Sequence, residues 1–271
     1  MYAVAVSLVV VATSAVVFGV ASVRSRNQPG RISDEAVQFA VSAPGIMTAA
    51  LVSAGVLASV AFAVARLETR EVRARLRLGR TRASVAGLIA AIAGLVGLSL
   101  ACGAVDDLLG WGGRGTMGAI AHALDRLSPG GFAMAVATIA IAPGAAEETF
   151  FRGLIQTGLG ARLGRWPSIL VTAFGFALMH FDLAQGLVAF VAGVFLGWVS
   201  ERLGGIRASI AAHACNNAAF VALASFGAAA NGAGRGGDLA VIATGLIAWT
   251  CATALLRSNL ALRSERRSAL E

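Results

Sequence analysis

Residues 84–105 read SVAGLIAAIAGLVGLSLACGAV, an uncharged run of Ala, Gly, Leu and Val set between Arg82 and Asp106-Asp107. About 20 apolar residues cross a bilayer as a helix, so the run is expected to span a membrane. Working outward from it, comparable runs recur on both sides. Helices are expected at 3–23, 36–65, 84–105, 131–160, 167–181, 183–200, 206–228 and 239–256, the fourth being interrupted by charges. The fold class expected is therefore all-α, a polytopic membrane protein of about eight transmembrane helices.

Composition agrees. Of 271 residues, 57% are hydrophobic and 13% charged, with a mean hydropathy of +0.77. Soluble domains carry about 25% charged residues, and no polar stretch here is long enough for a separate soluble domain. The parts are 1–130, N-terminal helices with a basic loop; 131–228, a core; and 229–271, a last helix and basic tail. All 22 basic residues are Arg, which with abundant Ala, Gly and Val suggests a high-GC bacterial genome. A net charge of +8 would suggest nucleic acid in a soluble protein. Here the arginines lie between apolar runs, where they set topology and contact anionic lipids, so no nucleic-acid partner is expected. Cys102, Cys215 and Cys251 sit inside apolar runs without metal-type spacing and read as packing residues. The run 3–23 lacks a basic leader and reads as a membrane helix, not a cleaved signal.

Arginine distribution also sets the expected orientation. Arg66, Arg70, Arg73, Arg75, Arg77, Arg80 and Arg82 face only Glu68 and Glu71, so this connector is expected in the cytoplasm. Arg162, Arg165, Arg202, Arg207 and the tail from Arg257 to Arg267 fall on the same side, with both termini, in a cell membrane. The loop 106–130 falls outside. Arg24, Arg26 and Arg31 conflict with this scheme, which makes the first helix its weakest element. Residues 66–82 fit either an amphipathic surface helix carrying Leu67, Leu76 and Leu78 or a solvated basic connector. Ser128-Pro129-Gly130 marks a turn, and His122 before it is expected to be solvated. Gly193 and Gly197 form a small-xxx-small pair suited to close helix packing.

Charges inside the hydrocarbon cost roughly 2.5–3.5 kcal/mol each, so they point to function. Glu147, Glu148 and Arg152 interrupt the apolar stretch IAPGAAEETFFRGLIQTGLG at 141–160. Glu148 and Arg152 are four apart and can pair. Glu147 lies about 100° away around the helix and has no such partner. On the next run, Phe176 precedes His180 by one turn. Glu147 and His180 are equally far from the polar turn at Arg162–Trp166, which in an antiparallel pair puts them at one depth, roughly 20 Å from the turn. His213 and Asn217 share a face of the seventh helix at about the same depth. A Glu beside a His can deprotonate water, and a second His with an Asn amide can donate to the oxyanion formed at an amide carbonyl. That is peptide hydrolysis without a covalent intermediate, and no Ser or Cys nucleophile is suitably spaced.

Glu147-Glu148-x-x-x-Arg152, Phe176-x-x-x-His180 and His213-x-x-x-Asn217, in this order on successive membrane helices, resemble the three motifs of the CAAX-protease and bacteriocin-processing (CPBP) family of intramembrane glutamic endopeptidases. The resemblance covers roughly 131–228. It implies that Glu147 and His180 activate water, that His213 and Asn217 form the oxyanion site, and that Glu148, Arg152 and Phe176 support the site. It implies a membrane-associated protein or peptide as substrate; eukaryotic relatives trim prenylated CAAX proteins, a substrate not expected in a bacterium. No cofactor is expected. Family members have been described as metalloproteases, and residue types alone leave a Glu/His/His zinc site open, although HExxH is missing. Competing classes are a non-catalytic scaffold or immunity-type member and a small transporter; the latter is disfavoured by the lack of an inverted repeat.

Overall fold

The computed structural model describes residues 2–24, 29–79, 83–111, 114–227 and 234–268. Arg26, Arg80 and Arg82, used above to orient the chain, lie outside the described residues. All secondary structure among the described residues is helical. In chain order the elements are α1 (Tyr2–Arg24), α2 (Pro29–Ala40), α3 (Ala43–Glu68), α4 (Val72–Arg75), α5 (Val85–Leu108), α6 (Gly115–Ala123), α7 (Pro129–Leu163), α8 (Arg165–Leu178), α9 (Leu183–Arg202), α10 (Arg207–Ser225) and α11 (Gly234–Ser268). Six of them are long and apolar enough to cross a membrane: α1 from Ser7, α3, α5, α7, α9 and α11 from Gly236 to Ser258. The other two expected spans fall short of that measure. α8 has only 14 residues, about 21 Å of helix, and α10 dilutes its apolar residues with Arg207, His213, Asn216 and Asn217.

Helix starts follow the caps in the sequence. Ser42, Ser84, Ser128 and Asp182 each accept a hydrogen bond from the backbone N–H three residues on, at 3.3, 3.1, 3.1 and 3.0 Å. Ser42, followed by Pro44, is why the run expected at 36–65 is broken into α2 and α3. The Ser42 hydroxyl also donates to Phe39 O at 2.7 Å, closing the first helix as it opens the second.

The basic connector is neither of the two forms expected for it. Only Val72–Arg75 is helical, and Leu67 is exposed, but Leu76 is fully buried among Phe150, Phe151, Leu154 and Phe176. Its neighbours fasten it there. Arg75 pairs with Glu68 at 2.5 Å and donates to Gly153 O at 3.3 Å. Arg77 pairs with Glu201 and donates to Ser200 O, while Arg207 donates to Leu78 O at 3.0 Å. Arg202 reaches Arg257 O at 3.0 Å. The connector, the α9–α10 junction and the end of the apolar part of α11 therefore share one end of the bundle, as the arginine distribution suggested. At the other end, Asp182 accepts from Thr116 N at 3.0 Å and Arg126 N donates to Ser225 O at 3.1 Å. His122 is exposed there.

α5 and α11 pack backbone to backbone at Gly97 and Gly245, where a Cβ on Gly97 would come within 2.8 Å of Gly245 O. A Cβ on Gly245 would run into the Gly97 carbonyl, whereas one on Gly103 meets nothing within 4 Å. Gly245→Leu is expected to lower the thermal unfolding midpoint of the detergent-solubilised protein by about 5 °C or more. Gly103→Leu on the exposed side of α5 is expected to leave it unchanged.

Candidate active site

The site is built on α7, which is not a regular α-helix. Val136–Ile141 and Thr149–Gln156 are π-helical, and the α-helical turn pair Ala142–Glu148 between them carries both glutamates. Each wide turn inserts a residue into the 3.6 period, so side chains past it change face; such segments gather at functional sites. Pro143 has no N–H to offer Ile139 O one turn back. The Asn217 amide Nδ2 lies 3.5 Å from that carbonyl. Gly144 lets α10 come close enough, because a Cβ there would sit 3.0 Å from Ala214 N and 3.1 Å from its Cα. A backbone contact at Ala214 sets His213 and Asn217 against the glutamates.

Glu148 and Arg152 are both fully buried, and Arg152 Nη1 donates to Glu148 Oε1 at 2.7 Å. Arg152 Nη2 donates to Gly193 O at 3.0 Å, and the guanidinium carbon lies 4.8 Å from the centre of the Phe176 ring. One turn further on, Gln156 Nε2 donates to Gly197 O at 3.2 Å. The Gly193/Gly197 pair thus does more than permit packing. It exposes two carbonyls of α9 one turn apart to two polar side chains one turn apart on α7. Gln156 escaped the sequence reading; its signal was the matched four-residue spacing of Arg152/Gln156 and Gly193/Gly197.

His213 stands between the two glutamates. Its Nδ1 is 3.0 Å from Glu148 Oε1, the oxygen that also accepts from Arg152, and its Nε2 is 3.7 Å from Glu147 Oε2. A carboxylate only accepts, so Nδ1 is the protonated nitrogen and Nε2 faces Glu147. Glu147 itself is part-exposed, with 17% of its side chain accessible, and has no arginine partner among the described residues.

His180 is placed differently from expectation. The eighth helix ends at Leu178, and His180 sits in the turn beyond it, followed by Phe181 at φ +51°. Asp182 imposes that stop, because as the cap of α9 it must be extended. Asp182 lies outside the spanning segments, and the backbone N–H groups of Thr116 and Gln185 hold its carboxyl below the usual carboxylate range. His180 Nδ1 lies 3.0 Å from Phe176 O, which only accepts, so this nitrogen too is the donor and Nε2 is left bare. No hydrogen bond or ion pair joins His180 to Glu147 among the described residues. What links the two histidines is Phe176, whose buried ring meets His180 edge-on at 5.0 Å and His213 at 5.8 Å. Among the described residues no group of three or more His, Cys, Asp or Glu side chains is arranged so that it could hold a metal ion.

Residues 129–219, about a third of the chain, match the model of the family described as Type II CAAX prenyl endopeptidase Rce1-like. No curated protein and no solved structure matches the chain in the corresponding comparisons.

Glu148 and Glu147 should respond differently to the same change. Glu148→Gln leaves Arg152 buried without its counter-charge and is expected to cost about 3–5 kcal/mol, a large share of a typical stability of about 5–15 kcal/mol. Glu147→Gln is expected to cost less than about 1 kcal/mol. Thermal unfolding of the two variants side by side measures the contrast.

Proposed function

We propose that the protein is an intramembrane endopeptidase that hydrolyses a peptide bond of a membrane-associated protein or peptide with a water activated by Glu147. The match of residues 129–219 to a protease family supports the class of reaction; the residue roles rest on chemistry. The observation that carries the reading is the difference in what stands behind the two imidazoles. His180 backs onto a neutral carbonyl, which leaves a bare Nε2 able to accept a hydrogen bond from the water that Glu147 deprotonates. His213 backs onto the Glu148 carboxylate, which compensates the positive charge the ring carries when it donates from both nitrogens. Its Nε2–H and the Asn217 amide then stabilise the oxyanion. Glu147 takes one proton from the attacking water, whose oxygen bonds to the carbonyl carbon while the carbonyl oxygen gains the charge; as the oxyanion collapses the C–N bond breaks and Glu147 gives the proton to the leaving amine. Glu148, Arg152 and Phe176 hold the ring of His213 without touching substrate.

The same reading puts the arginine-rich end in the cytoplasm against anionic lipids, in a cell membrane, with both termini on that side. Comparing the protein termini in membranes of cells expressing wild type or Glu147→Gln tests the activity. Termini present with wild type and missing with the variant, at equal amounts of folded protein, are the expected result and identify the substrate. Identical sets of termini would overturn the proposal.

A further inference from the structure

Hydrolysis needs water at Glu147, so the route open to water fixes the side of the membrane on which a bond is cut. Toward the arginine-rich end that route is shut. Every residue of α7 from Glu148 to Leu154 is buried, and so is Gln156. The stretch is longer than one turn of an α- or a π-helix, so it leaves no wetted face. The basic connector lies across it. Leu76 is fully buried, with its carbonyl so close to Gly153 that a Cβ there would come within 2.8 Å, and Arg75 donates to Gly153 O at 3.3 Å. Gln156 Nε2 donates to Glu201 Oε1 at 3.1 Å, and Glu201 pairs with Arg77 of the same connector. The strap and the buried turns of α7 together separate Glu147 from that end.

Toward the other end the site residues come to the surface. Glu147 keeps 17% of its side chain accessible, and His180 and Asn217 are half-buried. His180 stands in the turn two residues before Asp182, and Phe181 between them is 75% exposed. Asp182 caps α9 and accepts from Thr116 N at the start of α6. Asp107 and Asp182 act on Asp106 as like charges, which makes this end acidic. From that cap α9 crosses the membrane to Arg202 at the arginine-rich end, so His180 lies at the opposite boundary of the bilayer. A short chain of contacts, from His180 through Phe176 and His213, keeps Glu147 near that boundary. Arginine-rich connections stay in the cytoplasm, so the acidic end faces away from it.

We propose that the site opens on the extracytoplasmic side, where it cuts a translocated, membrane-anchored protein or peptide at the outer boundary of the bilayer. This rests on the protease reading and on the cytoplasmic placement of the arginines. A lipidated protein held at the cytoplasmic face presents its chain at the strapped end, about 30 Å of hydrocarbon from the opening. Translocation of the substrate therefore precedes the cut.

Labelling with a charged, membrane-impermeant maleimide tests the geometry, because a charged reagent does not cross the hydrocarbon. The full chain, with Cys102, Cys215 and Cys251 replaced by Ala, carries one new thiol. This is Phe181→Cys beside His180, or Ala74→Cys at an exposed position of the connector. In right-side-out membrane vesicles Phe181→Cys is expected to react and Ala74→Cys to stay unlabelled; inside-out vesicles are expected to reverse this. Both thiols reacting from one face, or each from the face opposite to that expected, overturns the proposal. If Phe181→Cys does not fold or reacts from neither face, Leu183→Cys, 75% exposed at the start of α9, takes its place. Its failure to react in right-side-out vesicles also overturns the proposal. The termini lost in Glu147→Gln are expected in extracytoplasmic segments. Losses confined to cytoplasmic segments overturn the side of cleavage and leave the protease reading standing, whereas unchanged termini overturn that reading whatever the labelling shows.

Discussion

Everything at the centre of this protein depends on one buried ion pair, Glu148 with Arg152. Two charges in a membrane bundle are tolerated when they neutralise one another, and removing one partner strands the other. Arg152 therefore has to reach Gly193 O and stack on Phe176 as well as meet Glu148. Those contacts tie α7 to α8 and α9. Glu148 in turn holds Nδ1 of His213, which ties in α10. The pair so fixes four helices around one imidazole and leaves Glu147, the adjacent residue, without a salt bridge to arginine among the described residues. Two neighbouring carboxylates thereby acquire different work from their surroundings.

Much of this was legible in the amino-acid order. The Glu148/Arg152 spacing, the shared face of His213 and Asn217, and the glycine pair at 193 and 197 all follow from the 3.6 period, and each meets a partner in the structure. The turn near residue 164 is where antiparallel packing required it, with Gly164 at φ +78°. The rest was not legible for physical reasons. A π-helical turn has no composition of its own, so the two wide segments of α7 and the face change they cause leave no periodic trace. His180 looked helical because Phe176 and His180 are four apart, but the cap at Asp182 ends the helix first. His213 is the nearer imidazole to Glu147, a relation that equal depth alone could not distinguish from His180.

The connector between α3 and α5 teaches the same lesson in reverse. Its charge was easy to read and its fate was not. Leu76 is a single apolar residue among arginines, too little for any periodicity, yet it is fully buried beside Phe150 and Phe151. The arginines around it neutralise Glu68 and Glu201 and bond to carbonyls of α7 and α9. The basic end of the molecule is thus covered by a strapped loop, and the acidic end carries the cap of α9 and the turn that presents His180.

The central claim is that Glu148 fixes His213 with Nδ1 protonated and Nε2 toward Glu147. The protein has three histidines, His122, His180 and His213, so ¹⁵N-histidine labelling with one-at-a-time substitution to Gln assigns every ring. The account predicts a His213 signal with a protonated Nδ1 that changes when Glu148 is replaced by Gln. A His213 ring with a bare Nδ1 and a protonated Nε2, indifferent to the Glu148 substitution, would contradict it.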